Sequence, residues 1–403
     1  VSLLSVEDAF ERLTHGVEPV GRTQSVELRS AHGRVLAADL LATRTQPDFD
    51  ASAMDGYALR AEDVRAPFQP LRLIGESAAG RAFEGRIGAG EAVRIFTGAP
   101  VPPGADAILI QENAERPAPG LVLPTEPVLA GRHIRRAGAD FSRGDTLVLK
   151  GKRLTSGAIA LAASGGHPRL DVIARPRVAI LATGDELVLP GSPVGPSQIV
   201  ASNTFGVAAM VEDAGAEVLD YGIARDDEAE IAGRIDRAIA DGADILVTIG
   251  GASVGDHDLV GKVFAAKNVE LDFWKVAMRP GKPLMAGRLG PMRLIGLPGN
   301  PASSMVAATL FLKPLVAALA GRPERTIYRD GILGADMPEN DLRADFIRST
   351  IDEASAVRPI VNPAGRQDSS LLSVYARADV LLLRPPHAPA AKAGDACRFV
   401  RLD

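Results

Sequence analysis

Val178-Ala179-Ile180-Leu181-Ala182, running straight into Thr183-Gly184-Asp185-Glu186, decides the fold. Five consecutive apolar residues are strand-sized, and they stop at a polar, glycine-bearing turn. The same pattern returns at Ile245-Leu246-Val247-Thr248-Ile249 before Gly250-Gly251, and at 292–297 before Pro298-Gly299-Asn300-Pro301. Helical stretches separate these runs. Asn203 can cap one that reaches about Ala214 and closes at Gly215. Another follows the loop Arg225-Asp226-Asp227 and ends near Ala240. A last one covers 302–320, with Met305, Ala308, Leu312 and Leu315 on its apolar face. Further strand signals lie at 217–222 and near 271–276. Strand–helix alternation of this kind predicts a doubly wound α/β domain over 173–322, a parallel sheet with helices on both faces.

Outward from that domain the grammar changes. Residues 323–403 carry short strands and proline-rich turns, the mark of a small β-domain. Upstream, short alternating runs between prolines and glycines predict a small β-rich domain over 45–133. Ser5 can cap a first helix whose Val6, Ala9, Phe10 and Leu13 share a face, and Ser156 a second one through Ala162.

Composition narrows the function. The 403 residues hold 45 Lys+Arg against 50 Asp+Glu, and aromatics are 4%, so neither a basic surface nor stacking platforms for nucleic acid are expected. The single Cys397 excludes an intramolecular disulfide framework and a cysteine-built zinc or iron–sulfur site within one chain. No run reaches the ~18 uninterrupted apolar residues of a spanning helix. The N-terminal residues do not read as a signal peptide. No membrane association and a reducing cytoplasm are therefore expected.

In an open α/β sheet, ligands sit where strands end and helices begin. The unusual polar clusters fall at those positions. Gly250, Gly251, Ser253 and Gly255 read either as turn residues or as close backbone approach to an anion. Asn300 and Pro301 fit ordinary N-cap and first-turn chemistry, yet with Pro298, Gly299 and Ser303 they also make an anion site at a helix start. Arg279 and Lys282 read either as solvated surface charges or, set beside Pro280 and Pro283, as a positioned cationic clamp that Lys275 can join. Glu186, Asp226 and Asp256 lie on three loops of the same edge. Carboxylates beside a phosphate surface call for a cation, and Mg²⁺ is the usual one. Upstream, Asp48-Phe49-Asp50-Ala51-Ser52-Ala53-Met54-Asp55-Gly56-Tyr57-Ala58 reads either as a pinned linker or as a loop presenting Asp55 on a glycine turn.

Five motifs in order resemble the molybdopterin molybdenumtransferase family, bacterial MoeA and the gephyrin E domain, over essentially the whole chain. They are Ser52-Ala53-Met54-Asp55-Gly56-Tyr57-Ala58, Thr97-Gly98-Ala99-Pro100 to Gly104-Ala105-Asp106-Ala107, Gly250 to Asp256, Pro280-Gly281-Lys282-Pro283, and Leu297-Pro298-Gly299-Asn300-Pro301. The resemblance implies an elongated homodimer of four-domain subunits. Its first domain would be discontinuous, 1–44 plus 134–172, its central domain would bind molybdopterin, and its last, 323–403, would be barrel-like. It implies Mg²⁺-dependent insertion of molybdenum from molybdate into adenylylated molybdopterin, with release of AMP. A molybdopterin adenylyltransferase would act upstream, and molybdoenzyme maturation proteins downstream.

By the same resemblance, Asp55 and Asp140 are acids that approach the partner's cleft, and Glu186, Asp226 and Asp256 are the central acids that hold the metal. Thr183, Gly184, Gly250, Gly251, Ser253, Gly255, Lys275, Arg279, Lys282, Pro298, Gly299, Asn300, Pro301 and Ser303 surround the substrate. Arg343, Arg348 and Ser369 come from the last domain. Two positions depart from the family: Arg279 stands where some members carry Lys, and Gln367-Asp368-Ser369-Ser370 replaces a glutamine-glycine-serine-glycine turn. A related pterin- or nucleotide-binding hydrolase and a gephyrin-like scaffold are the competing readings.

Overall fold

The apolar runs build one six-stranded sheet. In the computed structural model, which describes residues 3–251, 259–322, 328–352 and 358–402, its strands are β1 (Arg177–Thr183), β2 (Glu217–Ala224), β3 (Ile245–Ile249), β4 (Glu270–Trp274), β5 (Met285–Leu289) and β6 (Met292–Leu297), in the order β2-β1-β3-β6-β5-β4. The first four run parallel. Only β5 runs against the others, antiparallel to both β6 and β4, where a parallel sheet was expected. The cause is local: Gly290, with φ +59°, turns the chain straight from β5 into β6, and so short a turn allows only an antiparallel partner.

Helices cover both faces. They are α1 (Val6–Thr14), α2 (Asn203–Asp213), α3 (Glu228–Ala240), α4 (Leu259–Ala266) and α5 (Pro301–Leu319). Alternate residues of each strand serve opposite cores. Val178, Ile180, Val247 and Ile295 pack with Val207 and Val211 of α2 and Leu310 and Leu315 of α5. Ala179, Leu181, Leu246 and Leu294 pack with Ile231 and Ile235 of α3 and Val260 and Val263 of α4. Helix α5 is long and apolar enough to cross a membrane by length and composition, but its residues are almost all buried inside this core.

The chain forms two units, Val1–Gln24 with Ile173–Asp403 and Ser25–Val172. Helix α1 accounts for the first assignment. Ser5 caps it as expected, accepting from the Asp8 N–H at 3.0 Å, and Val6, Ala9 and Leu13 bury their stripe in the core of the central sheet. Helix α1, expected with the first domain, therefore packs with the central one.

The larger unit also holds the C-terminal sheet. Ala344–Asp352, Ile360–Pro363, Arg329–Leu333, Ala396–Arg401 and Val380–Arg384 follow in order, and Val380–Arg384 pairs back onto Ala344–Asp352, closing a barrel. Met278–Arg279, from a loop of the central domain, adds to this barrel in parallel.

The smaller unit is β-rich. Its six-stranded sheet runs Ala107–Ile110, Gly56–Leu59, Glu91–Ile95, Leu71–Ser77, Leu121–Pro124, Ala114–Glu115. Its helix Ser156–Ser164 is capped by Thr155, one residue earlier than expected, through a 3.3 Å bond from the Ala158 N–H.

Candidate functional site

A cavity of about 690 Å³ opens at the carboxyl ends of β1, β3 and β6. The strand-end turns supply most of its wall: Thr183, Gly184 and Glu186 after β1, Gly250 and Gly251 after β3, and Pro298 to Pro301 after β6. Asp226 enters from the loop after β2. Ten of the residues singled out from the sequence thus meet in one place. Ser253, Gly255 and Asp256 lie outside the described residues.

The glycines allow the loops to come this close. Gly250 has φ +94°, and a Cβ there would stand 2.7 Å from the Thr183 carbonyl oxygen. A Cβ on Gly184 would meet the Glu186 carboxylate at 2.5 Å, so the Glu186 side chain folds over its own turn. Asp185 braces the next loop, accepting from the Asp226 N–H at 3.2 Å.

The oxygen donors here include Glu186, Asp226 and the Thr183 hydroxyl, which is buried with no partner among the described residues. Hard oxygen ligands in this number, one or two of them carboxylates, fit Mg²⁺. Among the described residues no three His, Cys, Asp or Glu side chains gather around one point.

Sequence reasoning missed four contributors. Asn203 lines the cavity and donates its Nδ2–H to the Gly299 carbonyl at 2.8 Å, rather than capping α2. Its Oδ1 is buried with no partner among the described residues. Ile199 and Val200, both exposed, give an apolar wall. Ser370 reaches in from the C-terminal domain. Its N–H and hydroxyl donate to Asp368 at 2.8 and 2.6 Å, and the hydroxyl contact leads in holding that carboxyl below the usual range. The unusual Asp368 is thus spent on its own turn.

Ser369 is placed behind the wall. Its carbonyl accepts from the Ala302 N–H at 3.0 Å, and its hydroxyl accepts from Asn300 Nδ2 at 3.1 Å. Asn300 itself makes no capping bond, so the start of α5 is partly satisfied by protein. Ser303 is buried beneath it. Arg348, 1% exposed, donates through Nη2 to the Asp368 carbonyl at 3.0 Å, and burial lowers its pKa.

The basic loop borders the cavity through Pro283. Lys282, one residue earlier, is exposed and has no carboxylate partner among the described residues. The Lys275 ammonium lies 5.2 Å from the centre of the Trp274 ring. Arg279 and Arg343 are off the wall and are held by acids, Arg279 by Asp345 and Asp341, Arg343 by Asp341.

In the smaller unit, Asp55 accepts from the Thr97 N–H and Oγ1–H, each at 2.7 Å, which lowers its pKa. Two of the five sequence motifs are thereby joined, and Ser52 and Gly98 bond across the same seam. Gly56 is not a turn, as one reading had it. It begins a strand, and a Cβ there would fall 2.0 Å from the Leu109 carbonyl oxygen. Asp140 is exposed, its N–H donating to the Gln46 carbonyl at 3.0 Å.

Comparison with known proteins gives matches along the chain. Residues 4–166 match the MoeA N-terminal region (domain I and II), 179–318 a probable molybdopterin binding domain, and 330–402 the MoeA C-terminal region (domain IV). The molybdopterin molybdenumtransferase of Haemophilus influenzae is 32% identical over 397 residues, 98% of this chain and 97% of that one. Molybdopterin molybdenumtransferase 2 of Mycobacterium tuberculosis is 36% identical over 370 residues, 89% and 91%. The solved molybdopterin biosynthesis moeA protein of Pyrococcus horikoshii superposes with a TM-score of 0.82 at 26% identity, over 99% of this chain and 100% of that one.

Proposed function

Because the chain belongs to the molybdopterin molybdenumtransferase family, we propose that it inserts molybdenum from molybdate into adenylylated molybdopterin, releasing AMP and forming molybdenum cofactor in the cytoplasm. The observation that carries this reading is the cavity itself: two carboxylates, a buried hydroxyl with no partner among the described residues and glycine-bearing strand ends line it together.

The residues suit two anionic substrates. Backbone at Gly250, Gly251 and 298–301 admits close approach, and Lys282 and Lys275 supply positive charge beside it. Molybdopterin brings its own sulfur ligands. The one cysteine, Cys397, is half-buried with its thiol pushed up to about 11 by that burial, and no thiolate is asked of it. Glu186 and Asp226, with Asp256, would hold Mg²⁺, which when bound offsets the charge of the phosphate oxygens. The same carboxylates would position the molybdate oxygen or water that cleaves the phosphoanhydride, so no protein nucleophile is needed.

Asp55 and Asp140 belong to this reading as acids that a homodimer offers to the partner's cavity. An adenylyltransferase must supply the activated pterin, and molybdoenzyme maturation proteins would take the product.

The test is anaerobic incubation with adenylylated molybdopterin, with and without molybdate and Mg²⁺, scoring AMP. Wild-type protein should release AMP only with both present. Asp55→Ala, Glu186→Ala and Asp256→Ala should stay folded and release none, and full turnover in all three would refute the assignment.

A further inference from the structure

Arg279 carries a family position expected to face an anion, yet its guanidinium is already filled. Nε donates to Asp345 Oδ1 at 3.1 Å and Nη2 to Asp345 Oδ2 at 2.6 Å, a two-bond fork. Nη1 donates to Asp341 Oδ2 at 3.2 Å, and Nη2 also faces Asn340 Oδ1 at 3.4 Å. The backbone enforces the same meeting, since Arg279 and Asp345 are register partners in the parallel ladder that joins the basic loop to the barrel. Asp341 holds Arg343 as well, accepting from its N–H at 3.0 Å with its Nη2 at 3.9 Å. Two acids therefore occupy both arginines.

What this clamp holds is the loop that reaches the cavity. The Lys282 carbonyl accepts from the Val276 and Leu284 N–H groups at 3.0 and 2.9 Å, so residues 276–284 close on themselves. Arg279 sits inside that closed loop, and Pro283 stands on the cavity wall.

We propose that Arg279 is a positioning residue and not an anion ligand: its fork on Asp345 and Asp341 seats the 276–284 loop against the barrel and so sets where Lys282 and Pro283 meet the cavity. This rests on reading the cavity as the molybdate and pterin site. A lysine at 279 would keep the charge but not the fork.

The chain's single tryptophan, Trp274, lies at the mouth of this loop beside Lys275, so its emission reports on the loop without turnover. The full chain is titrated with sodium molybdate while Trp274 emission is followed, and KM for molybdate and kcat are measured by AMP release. The set is wild type, Arg279→Lys, Arg279→Met, Asp345→Asn and the Arg279→Met/Asp345→Asn double variant. Each single variant should weaken molybdate about tenfold with kcat nearly unchanged, and the double variant should be no worse than either parent. An anion ligand behaves otherwise: Asp345→Asn would leave affinity unchanged or improve it by freeing the arginine, and Arg279→Lys would retain wild-type affinity. Either result, or wild-type affinity throughout the set, overturns the proposal. A wild-type protein that answers molybdate in neither readout removes the functional reading, and this inference falls with it.

Discussion

Asn203 donates its side-chain N–H to the carbonyl of Gly299 at 2.8 Å. The bond ties the first turn of α2 to the turn that opens α5 and leaves Oδ1 as a buried acceptor on the cavity wall, with no partner among the described residues. A buried acceptor without a partner is costly in a protein interior. A substrate N–H would satisfy it.

Asn203→Ala should therefore raise KM for adenylylated molybdopterin by about tenfold, the equivalent of one or two lost hydrogen bonds. Far-UV circular dichroism should not change. AMP-release kinetics across substrate concentration check this, and an unaltered KM would assign Asn203 to the fold alone.

Gly250 is the sharpest backbone constraint at the site. Gly250→Ala puts a Cβ at φ +94° and within 2.7 Å of the Thr183 carbonyl oxygen, which is fixed by β1. Strain of this kind costs about 1–3 kcal/mol before any clash. Gly290→Ala is the control: its φ is +59° and nothing lies within 4 Å of the added Cβ. Urea midpoints should fall further for Gly250→Ala than for Gly290→Ala.

The central strands were legible because β1 and β3 are buried on both faces, which writes them as unbroken apolar runs. Strand β5 was not. Gly287 and Arg288 interrupt it, and Gly287 is required because a Cβ there would come within 2.6 Å of the Glu270 carbonyl oxygen. The edge-of-sheet site was legible for the same reason as the strands, since each turn follows a readable run. Asn203 was read as a cap because a cap and a bond to the Gly299 carbonyl use the same side chain. The charge of Arg279 was visible, but its acceptors lie 62 and 66 residues away, and no local pattern announces them.

Asp55 gives a pH prediction. The Thr97 N–H, then the Thr97 hydroxyl, holds its carboxyl below the usual range in the folded chain. A depressed folded-state pKa adds stability that is present above the ordinary carboxylate range and is lost as pH falls through the folded value. Thr97→Val keeps the N–H donor and removes the hydroxyl. Carboxyl-carbon NMR should show the Asp55 titration moving upward toward its ordinary value without reaching it. No movement would mean that the hydroxyl bond has no part in the shift.

The turn 367–370 separates two kinds of support. Ser369→Ala loses the contact with Asn300 Nδ2 but keeps the carbonyl that accepts from the Ala302 N–H, so the loss should be about 0.5–1.5 kcal/mol. Arg348→Met removes a charged donor from the Asp368 carbonyl at a position 1% exposed, and a hydrogen bond of that class is worth about 1.5–3 kcal/mol. The desolvation that already lowers the Arg348 pKa works against this loss. Urea unfolding of both variants ranks them. Arg348→Met more destabilised than Ser369→Ala means that the guanidinium bond outweighs its burial cost; the reverse order means that the turn is held chiefly through Asn300.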